Sequence, residues 1–416
     1  MKKCRPFLLA FFLLGIIPLC IANSILMPMD DAQKNHLKSY GLVFSILQRG
    51  GYADWLLNYR GGSFLLPYGE YVHSECVVRG ISFEVISDAT VNSILKEIES
   101  PAVNMNLVRL EKSPRIAVYS PKGDFVQDET DAVILVLDYA EIPYTIIYDE
   151  EVLSDQLTRF DWLHLHHEDF TGQFGRHLRS DSQLEADLQK ITASKLGYAK
   201  VTEMKLDVAR KIKAFCAGGG YLFAMCSGAE TFDIALSADG VDITESMFDG
   251  DGADPDAGSK LDFSKSLAFE NFTLEPGSSR KFSDINTGWG DYWQRSNDFF
   301  SLFEFSAKWD IIPSLLTQNH EHMIREFIGQ TTAFNKYVVK PSVLVLAENR
   351  KLHNVRYIYG ELGRGHWTYY SGHDPEGNPG HWREPADLNQ HPNSPGYRLI
   401  LNNVLFPSAR KKKQKT

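Results

Sequence analysis

Between residues 115 and 235 the chain alternates short apolar runs with longer helical runs, and this alternation limits the possible folds more than any other feature. Candidate strands lie at 115–120, 144–148, 162–167 and 221–225, with helical runs at 130–140 and 182–215. Strands that alternate with helices form right-handed βαβ units, which build a parallel sheet covered by helices on both faces. We therefore predict an α/β fold for this part of the chain.

The remainder of the chain falls into parts of different character. The segment 236–340 is rich in Gly, Asp, Ser and aromatic residues without a clear period, so it is interpreted as an irregular insertion or cap. Regular strands return at 342–347, 355–360 and 366–371, and a last helix covers 395–404. The predicted organisation is therefore an N-terminal α/β segment (30–112), the first part of the core (113–235), the insertion (236–340), the closing strands with the last helix (341–407) and a basic tail (408–416).

The first 22 residues have the pattern of a secretory signal peptide. Lys2, Lys3 and Arg5 precede an apolar run over 7–19, and Ala22 occupies a small-residue cleavage position. We predict an exported protein, periplasmic or extracellular, with no stable membrane span after cleavage, because no later segment has eighteen uninterrupted apolar residues. A retained N-terminal anchor is the alternative interpretation of residues 1–22. The formal net charge of -10 gives the chain no electrostatic reason to bind nucleic acid.

Three cysteines remain after the signal peptide, and Cys226 has the most informative neighbours. An odd number of widely spaced cysteines does not describe a disulfide framework. Cys226 follows the strand 221–225 and precedes Ser227, Gly228 and a helix, as in a nucleophile elbow. Such a turn lifts one side chain above the sheet, where backbone amides at the helix N-terminus bind an oxyanion or lower a thiol pKa. A buried structural cysteine is the alternative interpretation.

A cysteine nucleophile needs a base that a third group orients. His373 follows the strand 366–371, so we expect it at the carboxyl edge of the sheet, where ligands bind in open α/β folds. Asp374 or Glu376 would orient its imidazole. A polar surface turn is the alternative.

A second polar cluster ends the third strand. His164, His166 and Glu168 alternate along the chain, so they share one face of the strand, and their types suit a divalent metal. His167 and Glu168 are candidates for substrate binding at the same edge, together with Ser227 and Gly228. The alternative is a buried His164 beside a polar loop. The thiol chemistry requires no cofactor, and a divalent metal is the one cofactor that these residues suggest.

An acidic run with interspersed glycines spans 249–256. Closely spaced carboxylates can wrap a calcium ion, but this spacing is not that of an EF-hand loop. A solvated acidic turn is therefore the favoured interpretation.

Two segments resemble a known superfamily. The run 218–226, Gly-Gly-Gly-Tyr-Leu-Phe-Ala-Met-Cys, resembles the strand and elbow of class I glutamine amidotransferase-like proteins. The segment 361–375 resembles the closing strands of the trehalose-utilisation (ThuA-like) branch. The resemblance covers 115–232 and 342–407 and implies a flavodoxin-like parallel sheet with helices on both faces.

The resemblance also implies roles for site residues. Catalytic class I members pair a cysteine with a His-Pro-Glu motif, and the match here is Cys226, His373 and Glu376, with Asp374 inserted. Two features depart from the catalytic pattern. Ala224 stands where catalytic members usually have glycine, and the sequence over 166–169, His-His-Glu-Asp, replaces their glycine-rich oxyanion loop.

Three functions remain open from the sequence. The first is an exported hydrolase or amidotransferase-like enzyme that acts on an amide-type C–N bond through Cys226. The second is a non-catalytic or carbohydrate-related ThuA-like protein that binds a small molecule or carbohydrate in the same pocket. The third is a metal-dependent enzyme that uses the histidine cluster. Exported relatives often carry the name asparagine synthetase B, but the Ser-Gly-Gly-x-Asp-Ser loop with which such synthetases bind ATP does not occur in this sequence.

Overall fold

The structure, a computed structural model, describes residues 23–120, 131–176, 180–288, 298–377 and 385–409. The signal peptide predicted at 1–22 lies outside the described residues, as does the basic tail from residue 410 onward. Within the described ranges no helix combines the length and apolar character that a membrane crossing requires.

Residues 23–110 build a sheet of their own. The elements are β1 (Asn23–Met27), α1 (His36–Gln48), β2 (Ala53–Leu57), β3 (Ser63–Pro67), α2 (Glu70–Val78), β4 (Glu84–Ser87), α3 (Asp88–Glu99) and β5 (Asn106–Leu110). Their strand order is β4-β1-β3-β2-β5, and every pairing is antiparallel. The sequence left open whether this segment joins the core sheet; it forms a separate sheet instead.

The alternating region contains the strands that the sequence predicts. Its elements are β6 (Ile116–Tyr119), α4 (Ala132–Ala140), β7 (Thr145–Ile147), α5 (Asp149–Leu153), β8 (Trp162–Leu165), α6 (Ser180–Lys195), α7 (Val201–Gly218), β9 (Tyr221–Met225) and α8 (Cys226–Ser237). The expectation of one helix over 182–215 is wrong, because α6 ends before α7 begins. Gly197 adopts a left-handed φ of 88° just after α6, a conformation that stops a helix and suits glycine.

The last part of the chain completes a large mixed sheet. The elements are α9 (Ser246–Asp249), β10 (Phe299–Leu302), α10 (Ile311–Leu316), β11 (Met323–Arg325), β12 (Phe334–Asn335), β13 (Leu344–Asn349), β14 (Asn354–Leu362), β15 (Gly365–Tyr370) and α11 (Pro395–Leu405). The strand order is β11-β10-β13-β14-β15-β9-β8-β6-β7, and β12 pairs with β14. The five strands from β15 to β7 are parallel and the others antiparallel. The mixed α/β class is confirmed, and the segment predicted as an insertion contributes β10, β11 and β12 to this sheet.

Both faces of the parallel strands are buried. In β9, Tyr221 and Phe223 pack into a core that includes Leu399 of α11, whereas Leu222 packs into a second core that includes Ile212 of α7. Alternate residues of a strand point to opposite faces, so one apolar run serves both cores. The parallel strands β8, β9 and β15 lie side by side, and their carboxyl ends therefore meet at one edge of the sheet.

Candidate functional site

The backbone turns sharply at Cys226, between β9 and α8. Its φ is 51°, in the left-handed region that non-glycine residues rarely occupy. Such a conformation costs about 1–3 kcal/mol and persists where the surrounding structure fixes it. The side chain is fully buried, and Sγ accepts hydrogen bonds from the backbone N–H of Gln330 at 3.1 Å and of Thr331 at 3.2 Å. The strand-to-helix turn has the form that the sequence predicts for this position.

The electrostatic surroundings of Cys226 differ from those of the other described cysteines. Burial raises the pKa of the Cys226 thiol to about 11, and the amides of Thr331 and Gln330 oppose that rise. Burial raises the pKa of Cys76 and of Cys216 to about 12. Backbone amide donors to the sulfur therefore distinguish Cys226, because burial, with nearby charges at Cys76, accounts for the raised pKa of Cys216 and Cys76.

Gly329 lies next to the side chains of both Cys226 and His373. A Cβ added to Gly329 would lie 2.8 Å from Cys226 Sγ and 2.8 Å from Cδ2 of His373. The sulfur and the imidazole edge are therefore no farther apart than twice that distance. The backbone N–H of His373 donates to the carbonyl of Ile328 at 2.8 Å, which fixes the loop after β15 against the same segment. Two residues that the sequence selects, 147 positions apart by their numbers, meet in one site.

The two acids predicted to orient His373 have other contacts. The Asp374 carboxylate accepts the backbone N–H of Glu376 at 3.1 Å and the Tyr397 hydroxyl at 3.4 Å. Burial raises the pKa of Asp374 to about 6. The Glu376 carboxylate lies 3.5 Å from Nδ1 of His391. The orientation of His373 by either acid stays a prediction.

His164 and His166 flank a buried carboxylate. Asp131 Oδ2 lies 3.5 Å from His164 Nε2, and Asp131 Oδ1 lies 3.6 Å from His166 Nδ1. The predicted metal triplet included Glu168, but its carboxylate is not in this group. Glu168 Oε2 points towards α8, 3.4 Å from where a Cβ on Gly228 would lie. The structure thus groups Asp131, His164 and His166 as potential ligands.

A second group of imidazoles shares His166. One potential ligand atom from each of His166, His167 and His373 lies within 4.8 Å of the others. The ring centroids of His166 and His373 are 4.5 Å apart. Neither ring nitrogen of His166 has a hydrogen-bond partner among the described residues, although the side chain is only 2% exposed. Burial lowers the pKa of His166 well below its usual value, so its imidazole is neutral.

Side chains of α8 fasten the loop that carries these histidines. The Ser227 hydroxyl donates to the carbonyl of His167 at 2.9 Å, and the Thr231 hydroxyl donates to the carbonyl of Glu168 at 2.8 Å. Gly228 has no room for a side chain, because an added Cβ would lie 2.8 Å from the carbonyl oxygen of His166. The hydroxyl of Ser227 therefore positions the loop, and the predicted contacts of Ser227, Gly228, His167 and Glu168 with a substrate stay predictions.

Glu230, which no sequence pattern indicated, holds a residue of the loop that contacts Cys226. Its carboxylate accepts hydrogen bonds from the Thr331 hydroxyl at 2.6 Å and from the Ser283 hydroxyl at 2.7 Å. Burial raises the pKa of Glu230 to about 7. Thr331 in turn donates its backbone N–H to Cys226, so Glu230 holds a donor of the sulfur in place.

Gln330, Thr331 and Asp131 were also missed. The loop 328–331 lies in the segment whose pattern is irregular, and no local signal marks it. The position of Asp131 could have been noticed in the sequence, because an aspartate before a helical run is a typical N-cap. Its carboxylate accepts two backbone N–H groups at the start of α4, at 2.7 and 3.1 Å.

Lys200 lies against the acidic run near residue 250. Lys200 Nζ lies 2.8 Å from Asp242, 3.1 Å from Asp249 and 2.6 Å from Asp251. An ammonium group surrounded by three carboxylates supplies the positive charge that a calcium ion would otherwise bring. This arrangement favours the interpretation as an acidic turn.

Comparison with known proteins finds distant structural likenesses. No protein-family model matches the chain, and no curated protein matches it. Two cytoplasmic proteins from Salmonella typhimurium are 10% and 11% identical to it, with TM-scores of 0.38 and 0.36; each alignment covers 71% of this chain and 100% or 99% of the other. The exo-β-1,4-mannosidase Op5Man5 from Opitutaceae bacterium strain TAV5 is 9% identical, with a TM-score of 0.30, over 69% of this chain and 35% of that one. Likenesses at these scores identify neither a family nor a function.

Proposed function

We propose that this chain is a cysteine-dependent hydrolase or amidotransferase of the class I glutamine amidotransferase-like kind, acting on an amide-type C–N bond. The observation that carries the proposal is the left-handed backbone of Cys226 at the turn from β9 to α8. That turn lies at the carboxyl edge of the parallel strands, between β8, which leads into His166, and β15, which leads into His373. Strained turns of this kind present nucleophiles in α/β enzymes.

The strand order supports a flavodoxin-like arrangement. Numbered along the chain, the parallel strands β6, β7, β8, β9 and β15 lie in the order 2-1-3-4-5. Flavodoxin-like doubly wound folds have this order and bind ligands outside the carboxyl ends of their strands. The site around Cys226 occupies that position.

The proposed reaction uses groups that the fold gathers around Cys226. His373 takes the proton of the Cys226 thiol, and the thiolate attacks the carbonyl carbon of the substrate. The backbone amides of Ser227 and Gly228, at the start of α8, stabilise the oxyanion. The C–N bond then breaks, and the departing nitrogen takes the proton from His373. Water activated by His373 hydrolyses the thioester and frees the acid.

Access to the sulfur depends on the loop 328–331. Gly329, Gln330 and Thr331 cover Cys226, and two of their amides donate to Sγ. A substrate therefore reaches the sulfur only when this loop moves aside. Opening removes the burial that raises the thiol pKa most, and with it the opposing hydrogen bonds of the Gln330 and Thr331 amides, so His373 is left as the group that takes the thiol proton.

Export and the substrate class belong to the same proposal. The pattern over residues 1–22 favours delivery to the periplasm or the exterior. The ThuA-like resemblance of the segment 361–375 favours a small-molecule or carbohydrate amide as substrate. A ligand-binding protein without catalysis is the outcome we expect if the thiol proves inert.

Alkylation of the native protein by iodoacetamide between pH 5 and pH 9, read by mass spectrometry, tests the nucleophile. We expect Cys226 to be labelled faster than Cys216 and Cys76, because two backbone amides donate to its sulfur and His373 lies beside it. We expect His373→Ala to slow the labelling of Cys226 alone. Release of ammonia from a panel of small and sugar-linked carboxamides should stop in Cys226→Ala.

Cys76 and Cys216 serve as internal controls for unfolding, because they are buried and lie outside the proposed site. Equal labelling of all three would show that the reagent reaches them through global opening. A rate for Cys226 that does not change in His373→Ala would exclude the dyad. Ligand binding that persists in Cys226→Ala without any ammonia release would support the binding protein instead.

A further inference from the structure

Three histidines converge beside the proposed nucleophile, and they come from two separate loops. His166 and His167 follow β8, and His373 follows β15. One potential ligand atom from each lies within 4.8 Å of the others. We propose that His166, His167 and His373 bind a single divalent transition cation, of which Zn²⁺ is the expected example.

The distances suit such a cation after small ring movements. Zn–N bonds of about 2.0–2.1 Å place the nitrogens of a tetrahedral site roughly 3.4 Å apart. The ligand atoms therefore have to approach one another by at most about 1.4 Å, which rotation about the side-chain torsions supplies. His167 is exposed and His373 is partly exposed, so both have room to turn, while the buried His166 forms the fixed point.

Asp131 supplies the outer carboxylate that metal-binding histidines usually have. Its Oδ1 lies 3.6 Å from His166 Nδ1, which leaves Nε2 of His166 as the ligand atom. Two backbone amides of α4 hold the carboxylate in place. A carboxylate behind a ligating imidazole fixes the ring and raises the basicity of the ligand nitrogen. Asp131 also places a buried negative charge near the cation.

The alternative is a group of neighbouring histidines that binds no ligand, and His166 argues against it. Its side chain is 2% exposed, and neither ring nitrogen has a hydrogen-bond partner among the described residues. A buried polar atom without a partner costs about 1–3 kcal/mol. A cation on Nε2, with Asp131 drawn to Nδ1, satisfies both nitrogens. Imidazole ligands favour zinc-like cations over calcium or magnesium, which prefer oxygen.

The cation site does not depend on the thiol chemistry, because Cys226 is not among its ligands. It does share His373 with the proposed dyad. A nitrogen of His373 that binds the cation cannot accept the thiol proton. We therefore expect bound zinc to slow the alkylation of Cys226, so that the cation regulates the site.

Isothermal titration calorimetry of the tag-free, EDTA-treated protein with ZnCl₂ tests the site. We expect one zinc per chain, and binding at least about 100-fold weaker in His166→Gln and His373→Gln. Asp131→Asn should weaken it about 10–100-fold, as for other outer carboxylates. Cobalt provides a second measurement, because tetrahedral Co²⁺ absorbs strongly in the visible range. This band should vanish in His166→Gln and His373→Gln.

The controls separate this proposal from the others. His353→Gln changes an exposed histidine outside the cluster and should leave the titration unchanged. Cys226→Ala should also bind zinc normally, so an inert thiol would not count against the cation site. Circular dichroism checks that each variant is folded. The proposal is overturned if no 1:1 binding is detected below millimolar zinc, or if the binding persists in folded His166→Gln and His373→Gln.

Discussion

Replacement of Asp149 by alanine is expected to lower the free energy of unfolding by about 3–5 kcal/mol, because it leaves a buried charge without its partner. Asp149 and Lys205 are 0% and 1% exposed. Lys205 Nζ lies 2.9 Å from both carboxylate oxygens and 2.8 Å from the Tyr119 hydroxyl. The Tyr119 hydroxyl donates to the same carboxylate at 2.5 Å. Without Asp149, Lys205 and Tyr119 lose the carboxylate that both of them contact.

Urea unfolding of Asp149→Ala measures the effect, and the chain offers a matched surface pair. Lys211 and Asp155 lie 2.6 Å apart, but their side chains are 39% and 69% exposed. Asp155→Asn, which removes the charge and suits the left-handed φ of 62° at this position, should change stability by less than about 1 kcal/mol. The double variant Asp149→Leu with Lys205→Met should recover much of the loss, because it removes both buried charges. Similar small losses in Asp149→Ala and Asp155→Asn would contradict the assignment of the buried pair.

The network of Asp149, Lys205 and Tyr119 also contacts the part of the chain that carries the site histidines. Tyr119 ends β6, and its ring stacks on Phe170 with centroids 5.5 Å apart. Phe170 closes the loop that begins at His166 and donates its backbone N–H to Thr231 of α8. The buried ion pair therefore lies under the loop that carries the histidines. Loss of Asp149 should disturb that loop before it unfolds the sheet.

The sequence predicts best those parts of the fold that are determined by residues adjacent in the chain. Each parallel strand is a short apolar run bounded by helical residues, and such a run carries its own signal. The turn at Cys226 is equally local, since the strand, the cysteine and the small residues after it are consecutive. His373 could be placed beside Cys226 because the carboxyl ends of parallel strands share one edge.

The remaining features depend on contacts between distant parts of the chain. The amides of Gln330 and Thr331 reach Cys226 from more than a hundred positions away, out of a segment with no regular period. Asp131 meets His166 only because α4 starts beside the end of β8. Nothing in the sequence of residues 30–112 states which sheet its strands will join. Long-range pairings of this kind follow from packing, which a single sequence does not display.

Glu230→Gln is expected to gain stability relative to the wild type as the pH rises. The native pKa of Glu230 is about 7, raised by burial, against an ordinary value of 4.5. Between these values the native state keeps a proton that the unfolded state has lost. The contribution of Glu230 to the free energy of unfolding therefore falls from pH 4.5 to pH 7 and is constant above it. One pKa unit corresponds to about 1.4 kcal/mol, so the loss is on the order of 3 kcal/mol.

Urea unfolding of both proteins at pH 4.5, 6, 7 and 8 measures this difference. Glutamine has the shape of the protonated acid and can keep the contacts with Thr331 and Ser283, so the two proteins should be similar at pH 4.5 and diverge towards pH 8. Other buried acids, such as Asp374, contribute to both curves and cancel in the difference. Glu321→Gln, at an exposed position, should follow the wild type at every pH. A difference that does not depend on pH would mean that Glu230 is ionised throughout, and that an anion, instead of a neutral acid, holds Thr331 against the sulfur of Cys226.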